Sequence, residues 1–146
     1  MLFRSAKATI ALAREGVRNR TKKELGGESL PQGIKDSEAS LDLCMEEGKK
    51  SGEECAVEHV QRATVILGNL ILDSKLRPEL GARYQKLEPE IRKLEHPFRE
   101  CVLKTRAPLD KKFLEELDVC GTTLTENALE FLLAHAGDEE IGRAHV

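Results

Sequence analysis

Four cysteines carry the clearest chemistry in this sequence: Cys44, Cys55, Cys101 and Cys120. Cys44 lies four residues before Gly48, and Cys55 four residues after Ser51. If antiparallel helices flank the turn at 48–51, both cysteines sit about one helical turn from the bend. Neighbouring helix axes run about 8–10 Å apart. Inward-facing residues at one level then reach the Cα separation of about 4.4–6.8 Å that a disulfide needs. The stretch CMEEGKKSGEEC therefore fits a disulfide-closed hairpin able to respond to redox state. Two buried free thiols, packing as small hydrophobic groups, fit the same spacing. Cys101 and Cys120 can pair across the break at Pro108, but their spacing does not require it. Cys120 belongs to an apolar stripe, so core packing is its expected role.

Cys55 and His59 are one turn apart on one helix face, and Cys44 could add a third metal ligand. Structural zinc usually takes four ligands, so no metal site is expected, and His59 is read as a surface or half-buried histidine. No cofactor is expected. There is no GxSxG, no HExxH and no glycine-rich phosphate loop, the motifs that would place a nucleophile, a zinc ion or a phosphate. Glu53, Glu54 and Glu58 surround Cys55; they suit the start of a helix, but they raise the pKa of a nearby thiol. No catalytic residue is assigned and no enzyme is expected. A piece of a larger enzyme, with its catalytic residues outside this stretch, is the alternative of a different class.

The elements that must position these residues are helices. Residues 6–25 form a first helix, rich in Lys7, Arg14, Arg18, Arg20, Lys22 and Lys23. That basic face reads as solvated, or as the end of an Arg-rich, acid-poor transit segment. Gly26-Gly27 stops it. A second helix spans 34–47 with a narrow apolar face. Gly48 ends it, and Ser51 with Glu54 forms a capping box that opens a third helix over 52–75. Val60, Ala63, Leu67 and Leu70 make this the most apolar helix and the expected centre of the core. Pro78 is placed to start a fourth helix, in which Leu80, Tyr84, Leu87, Ile91 and Leu94 form one seam. That seam is the expected partner-binding surface. Pro89 should kink or break it, His96-Pro97 marks another break, and 98–104 is a short helix. Beyond Pro108, Phe113, Leu117, Cys120 and Leu124 share a face. Gly121 to Thr123 either interrupts that helix or kinks it, with Thr123 and Glu126 as a possible cap, and Gly137 ends it. No alternating stretch supports a strand. The expected fold is all-α, a bundle of four to six helices with an αα-hairpin at residues 34–75.

Composition agrees. Aromatic residues make up 3% and tryptophan is absent, so the core is built from aliphatic side chains. Lys and Arg number 23 against 26 Asp and Glu, a balance that gives no case for nucleic acid. No apolar run approaches the roughly 20 residues that cross a bilayer. Compartment and oligomeric state are not written in these features. The ends read differently. Back-translated one way, EIGRAHV gives GAG ATC GGA AGA GCA CAC GTC, a common sequencing adapter. MLFRS gives GTG CTC TTC CGA TCT, the end of its companion. Residues 1–5 and 140–146 are therefore expected to be adapter-derived peptide around one helical domain, 6–139, with the true termini missing. Without Arg4, Glu140 and Arg143, 21 basic and 25 acidic side chains remain.

IKDSEASLDLCMEEGKKSGEECAVEHV, residues 34–60, resembles the amino-terminal half of the small Calvin-cycle redox linker protein. Glu54-Cys55-Ala56-Val57 match that family's ECAVAWD-type segment, and Cys44 matches the hairpin partner. The resemblance implies a non-catalytic linker that scaffolds glyceraldehyde-3-phosphate dehydrogenase with phosphoribulokinase, with Cys44 and Cys55 closing the hairpin. The family's Trp-Asp is replaced by Glu58-His59, and Cys101 and Cys120 lie far apart where the family has a close pair. A competing resemblance covers Ala39 to Leu94: the stretch EHVQRATVILGNLILDSKLRPELGARYQKL is similar to the middle helices of the flagellin export chaperone, which implies a bundle that cradles a helical partner. Its early Leu-Tyr-Asp-Gly segment is missing. The expected function is a non-catalytic helical protein-interaction module, redox-responsive through Cys44–Cys55. A helical-bundle chaperone is the alternative. Either has a protein partner.

Overall fold

The computed structural model describes residues 5–105 and 108–144, the last eight as backbone only. Residues 1–4 and 145–146, which hold most of the head peptide and the end of the tail, lie outside the described residues. Five helices follow in order: α1 (Ala6–Leu25), α2 (Gln32–Glu47), α3 (Gly52–Leu80), α4 (Arg83–Lys104) and α5 (Lys111–Ala144). Among the described residues there is no strand, and no helix is long and apolar enough to cross a membrane. The fold is all-α, and its five helices fall within the expected range.

Helix α3 is the axis, packing against each of the other four. A Cβ added at Gly52 would lie 2.6 Å from that of Ala6, so α1 and α3 start side by side and run parallel. Arg18 on α1 meets Glu38 on α2, antiparallel to both. The Glu53 carboxylate accepts from the Leu109 amide at 2.7 Å, which sets the start of α5 beside that of α3. Thus α1, α3 and α5 point one way, and α2 and α4 the other. The core runs the length of the bundle through Ile34, Leu72, Leu76, Ile91, Phe98, Phe113 and Leu117, all buried.

The helices run through five expected boundaries. Pro78 lies inside the last turn of α3 rather than opening α4. A proline inside a helix costs about 3 kcal/mol. Here Leu76 and Leu80, both buried, hold the turn against the core. The stop comes three residues later at Gly81, where φ is +55°, a backbone state glycine adopts without strain. Pro89 and Pro97 lie within a continuous α4. Both are on its solvent face, and so are Gln85 and Lys93, whose carbonyls lose their donors. Solvent can reach those carbonyls, while the opposite face stays packed. Gly121 and Thr123 do not interrupt α5. The Thr122 and Thr123 hydroxyls donate to the carbonyls of Asp118 and Val119, the in-helix option for threonine rather than a cap. The α5 backbone also continues through Gly137 to Ala144.

The proposed partner seam is spent inside the chain. Leu80, Tyr84 and Ile91 are buried, and Leu87 and Leu94 pack half-buried on the same core. Leu80 also belongs to α3, not α4. The 4-3 spacing was a helix-packing seam, continued by Phe98 and Val102, and its occupant is the rest of this bundle. The seam is therefore not available to a partner.

Tyr84 closes the α3–α4 corner. Its hydroxyl and the Arg92 guanidinium both donate to Asp73, Arg92 also donates to the Tyr84 oxygen at 2.9 Å, and the Arg77 guanidinium lies 4.1 Å above the ring. Tyr84→Phe keeps the ring and removes the hydroxyl. The expected loss is about 1–2 kcal/mol, read as a lower urea midpoint at unchanged slope.

Candidate functional site

The α2–α3 hairpin is set by its turn. Gly48 ends α2 in the left-handed conformation, φ +66° and ψ +13°. Ser51 then caps α3: the Glu54 amide donates to its hydroxyl at 3.1 Å, and the Ser51 amide donates back to the Glu54 carboxylate at 3.5 Å. This fixes Cys55 in the first turn of α3 opposite Cys44 in the last turn of α2. Their Cα atoms are 5.9 Å apart and the two sulfurs are bonded. Cys55 is wholly buried, whereas Cys44 is half-buried.

Cys101, in the last turns of α4, is bonded to Cys120 of α5 across a Cα separation of 5.7 Å. Cys120 is also buried in the apolar stripe, so it both packs, as favoured, and makes the second pair that its spacing had left open.

One turn below Cys55 lies a polar group that sequence reasoning placed wrongly. His59 is wholly buried, where a surface or half-buried histidine was expected. The Ser37 hydroxyl accepts from Arg62 Nε at 3.3 Å and lies 2.8 Å from His59 Nδ1. The Ser37 backbone also hydrogen-bonds the ring and favours its protonated form. Nε2 is buried with no protein partner. Beside this group Glu38 receives a two-pronged contact from Arg18, 2.6 Å from Nε and 2.8 Å from Nη2. The Arg18 hydrogen bond holds the Glu38 carboxyl below its ordinary range, against the opposing effect of burial. Arg14 pairs with Asp42 further along.

Cys44, Cys55 and His59 do not make a metal site. The two sulfurs are joined to each other, and Nδ1 is committed to Ser37. Among the described residues no group of three or more His, Cys, Asp or Glu side chains could hold a metal ion.

Burial lowers the pKa of His59, Arg62 lowers it further, and Glu38 opposes them. The unfolded chain takes up a proton near the ordinary value of 6.5, while the folded chain resists it. Stability from this group is complete above pH 6.5 and is lost as pH falls through the lowered folded value. Urea unfolding between pH 7.5 and 5 should show that loss, and His59→Gln should flatten it. The Glu38 contribution falls away at lower pH, as its carboxyl protonates below the ordinary carboxylate range.

No protein-family model, curated protein or solved structure matches the chain.

Proposed function

We propose that this chain is a non-catalytic helical interaction module whose α2–α3 hairpin changes with redox state. The observation that carries this is the Cys44–Cys55 bond, which ties the last turn of α2 to the central helix and leaves Cys44 half-buried. Leu43 and Met45 flank Cys44 and are exposed, Leu43 by 55%. The bond holds these side chains in one arrangement. Its reduction releases the last turn of α2 and presents them in another, so a partner that reads them distinguishes the two states. Thiol alkylation with hydrogen exchange tests this. Oxidised protein should show no reactive thiol. On reduction, exchange should rise over residues 41–51 and stay slow over 56–72. Four reactive thiols under oxidising conditions, or equal exchange in both states, would sink the proposal.

A second reading rests on a different observation. Two hollows of about 450 and 420 Å³ lie along α3 between α1 and α5, meeting at Arg20 and Thr64. Leu12, Val17, Val60 and Leu114 line the first; Leu67, Ile71 and Leu124 line the second. The Arg20–Asp118 ion pair, 3.0 Å, joins the walls. A groove of this kind suits the apolar face of a helix, as in a bundle chaperone. Titration with an amphipathic helical peptide separates the readings: binding that Leu114→Glu abolishes and reduction leaves unchanged supports the groove.

A further inference from the structure

We propose that Cys101–Cys120 is a second thiol–disulfide exchange site, one that an external dithiol opens before it opens Cys44–Cys55. The α4–α5 bridge carries this alone; the hairpin need not act as a switch for it to hold.

Both halves of the bridge line one open hollow of about 290 Å³, together with Lys104, Thr105, Glu116 and Val119. The bond that joins the two cysteines therefore forms part of its wall. Cys120 is 1% exposed, whereas Cys101 is half-buried, so exchange starts at the Cys101 sulfur. A buried sulfur is slow to leave as a thiolate. Cys55 is buried as fully as Cys120, so burial does not rank the two bonds.

Charge does rank them. Within four residues of Cys44 or Cys55 stand Asp42, Glu46, Glu47, Glu53, Glu54 and Glu58, and no lysine or arginine. Of these, Asp42 and Glu58 are paired with Arg14 and Lys50. Within four residues of Cys101 or Cys120, Arg99 and Lys104 stand against Glu100, Glu116 and Asp118, and Arg20 pairs with Asp118. The attacking thiolate and the thiolate it displaces are both anions. Carboxylates repel them at the hairpin, while the charges around the bridge nearly cancel.

The exchange balances as follows. One thiolate of the dithiol attacks the Cys101 sulfur. The Cys101–Cys120 bond breaks, its electron pair goes to Cys120, and a mixed disulfide forms on Cys101. The second thiolate of the dithiol attacks its own bonded sulfur and releases Cys101. The dithiol leaves oxidised to a disulfide, and the chain gains two thiols whose protons come from water. The end of α4 stays on α3 without the bridge, because the Gln61 amide donates to the carbonyls of Thr105 at 2.5 Å and Val102 at 3.4 Å.

The test uses the full oxidised chain and dithiothreitol. Timed samples are alkylated, and peptide mass spectrometry follows the two bonds separately. Cys101–Cys120 should be reduced at least about tenfold faster than Cys44–Cys55. Its rate should stay flat in low urea, because exchange gated by global unfolding would quicken about fivefold or more per molar. Val119→Phe crowds the hollow and Lys104→Glu brings an anion to it. Each should slow this bond by roughly threefold and leave the hairpin at its original rate. A hairpin reduced first or at a similar rate, a bridge whose rate climbs with urea, or variants that do not slow the bridge overturn the proposal. The hairpin's redox role survives those outcomes. It fails instead if full reduction leaves hydrogen exchange over residues 41–51 unchanged, whichever bond opens first.

Discussion

Phe98→Ala is expected to destabilise the bundle by about 3–5 kcal/mol, the range for truncating a buried aromatic core residue. Phe98 is 3% exposed and packs against Gly68 of α3. A Cβ placed on Gly68 would sit 2.6 Å from Phe98 Cζ and 3.0 Å from Cδ2. Only glycine leaves room there for the edge of the ring. The same contact sets the sign of a second change. In an open helix Gly→Ala gains about 1 kcal/mol. At Gly68 the added methyl strikes a buried ring, and overpacking of this kind costs about 1–3 kcal/mol, so Gly68→Ala should destabilise. In the Phe98→Ala background the obstacle is gone, and Gly68→Ala should become stabilising. Four urea curves complete this double-mutant cycle; a Gly68→Ala effect that does not depend on residue 98 would show that the two do not pack as described.

Removing the disulfides is the second large perturbation. They close short segments, with sequence separations of 11 and 19. Each such loop is worth about 3 kcal/mol through the lost freedom of the unfolded chain. The pairs Cys44→Ser with Cys55→Ser and Cys101→Ser with Cys120→Ser should each lower the unfolding free energy by about that amount. A single domain has only about 5–15 kcal/mol in total, so the fourfold variant should sit near its unfolding threshold at room temperature. Thermal and urea melts of the three variants check this; a loss under about 1 kcal/mol for either pair would mean that the bond does not constrain the unfolded chain in this way.

Much of this was legible in the chain itself. Apolar stripes, the Gly48 stop and the Ser51–Glu54 box located α2 and α3 because each signal is local. The prolines misled because the rule for them describes a lost donor, not the face on which it is lost. The 4-3 spacing through Tyr84, Leu87, Ile91 and Leu94 continues to Phe98 across both Pro89 and Pro97, and that continuity was the signal of one unbroken helix. It also explains why the seam was mistaken for a docking surface: a stripe declares that it will be covered, not by what. His59 was harder. It stands among Cys55, Ala56, Val60 and Ala63 in the apolar pattern, which foretells burial, but its partner Ser37 comes from another helix. The match of Gly68 to Phe98 spans 30 residues of chain and has no local trace.

The parallel run of α1, α3 and α5 has a mechanical consequence. The turn at 48–51, the starts of α3 and α5 and the covalent bond at Cys44–Cys55 gather at one end, and Cys101–Cys120 lies on the same side of the bundle's midpoint. The other end, where α3 turns into α4 at Gly81, is held by the Tyr84–Asp73–Arg92 contacts and by side-chain packing. The molecule is therefore riveted at one end and clasped at the other. Heat or tension should open it from the Gly81 turn toward the rivets, like a fan.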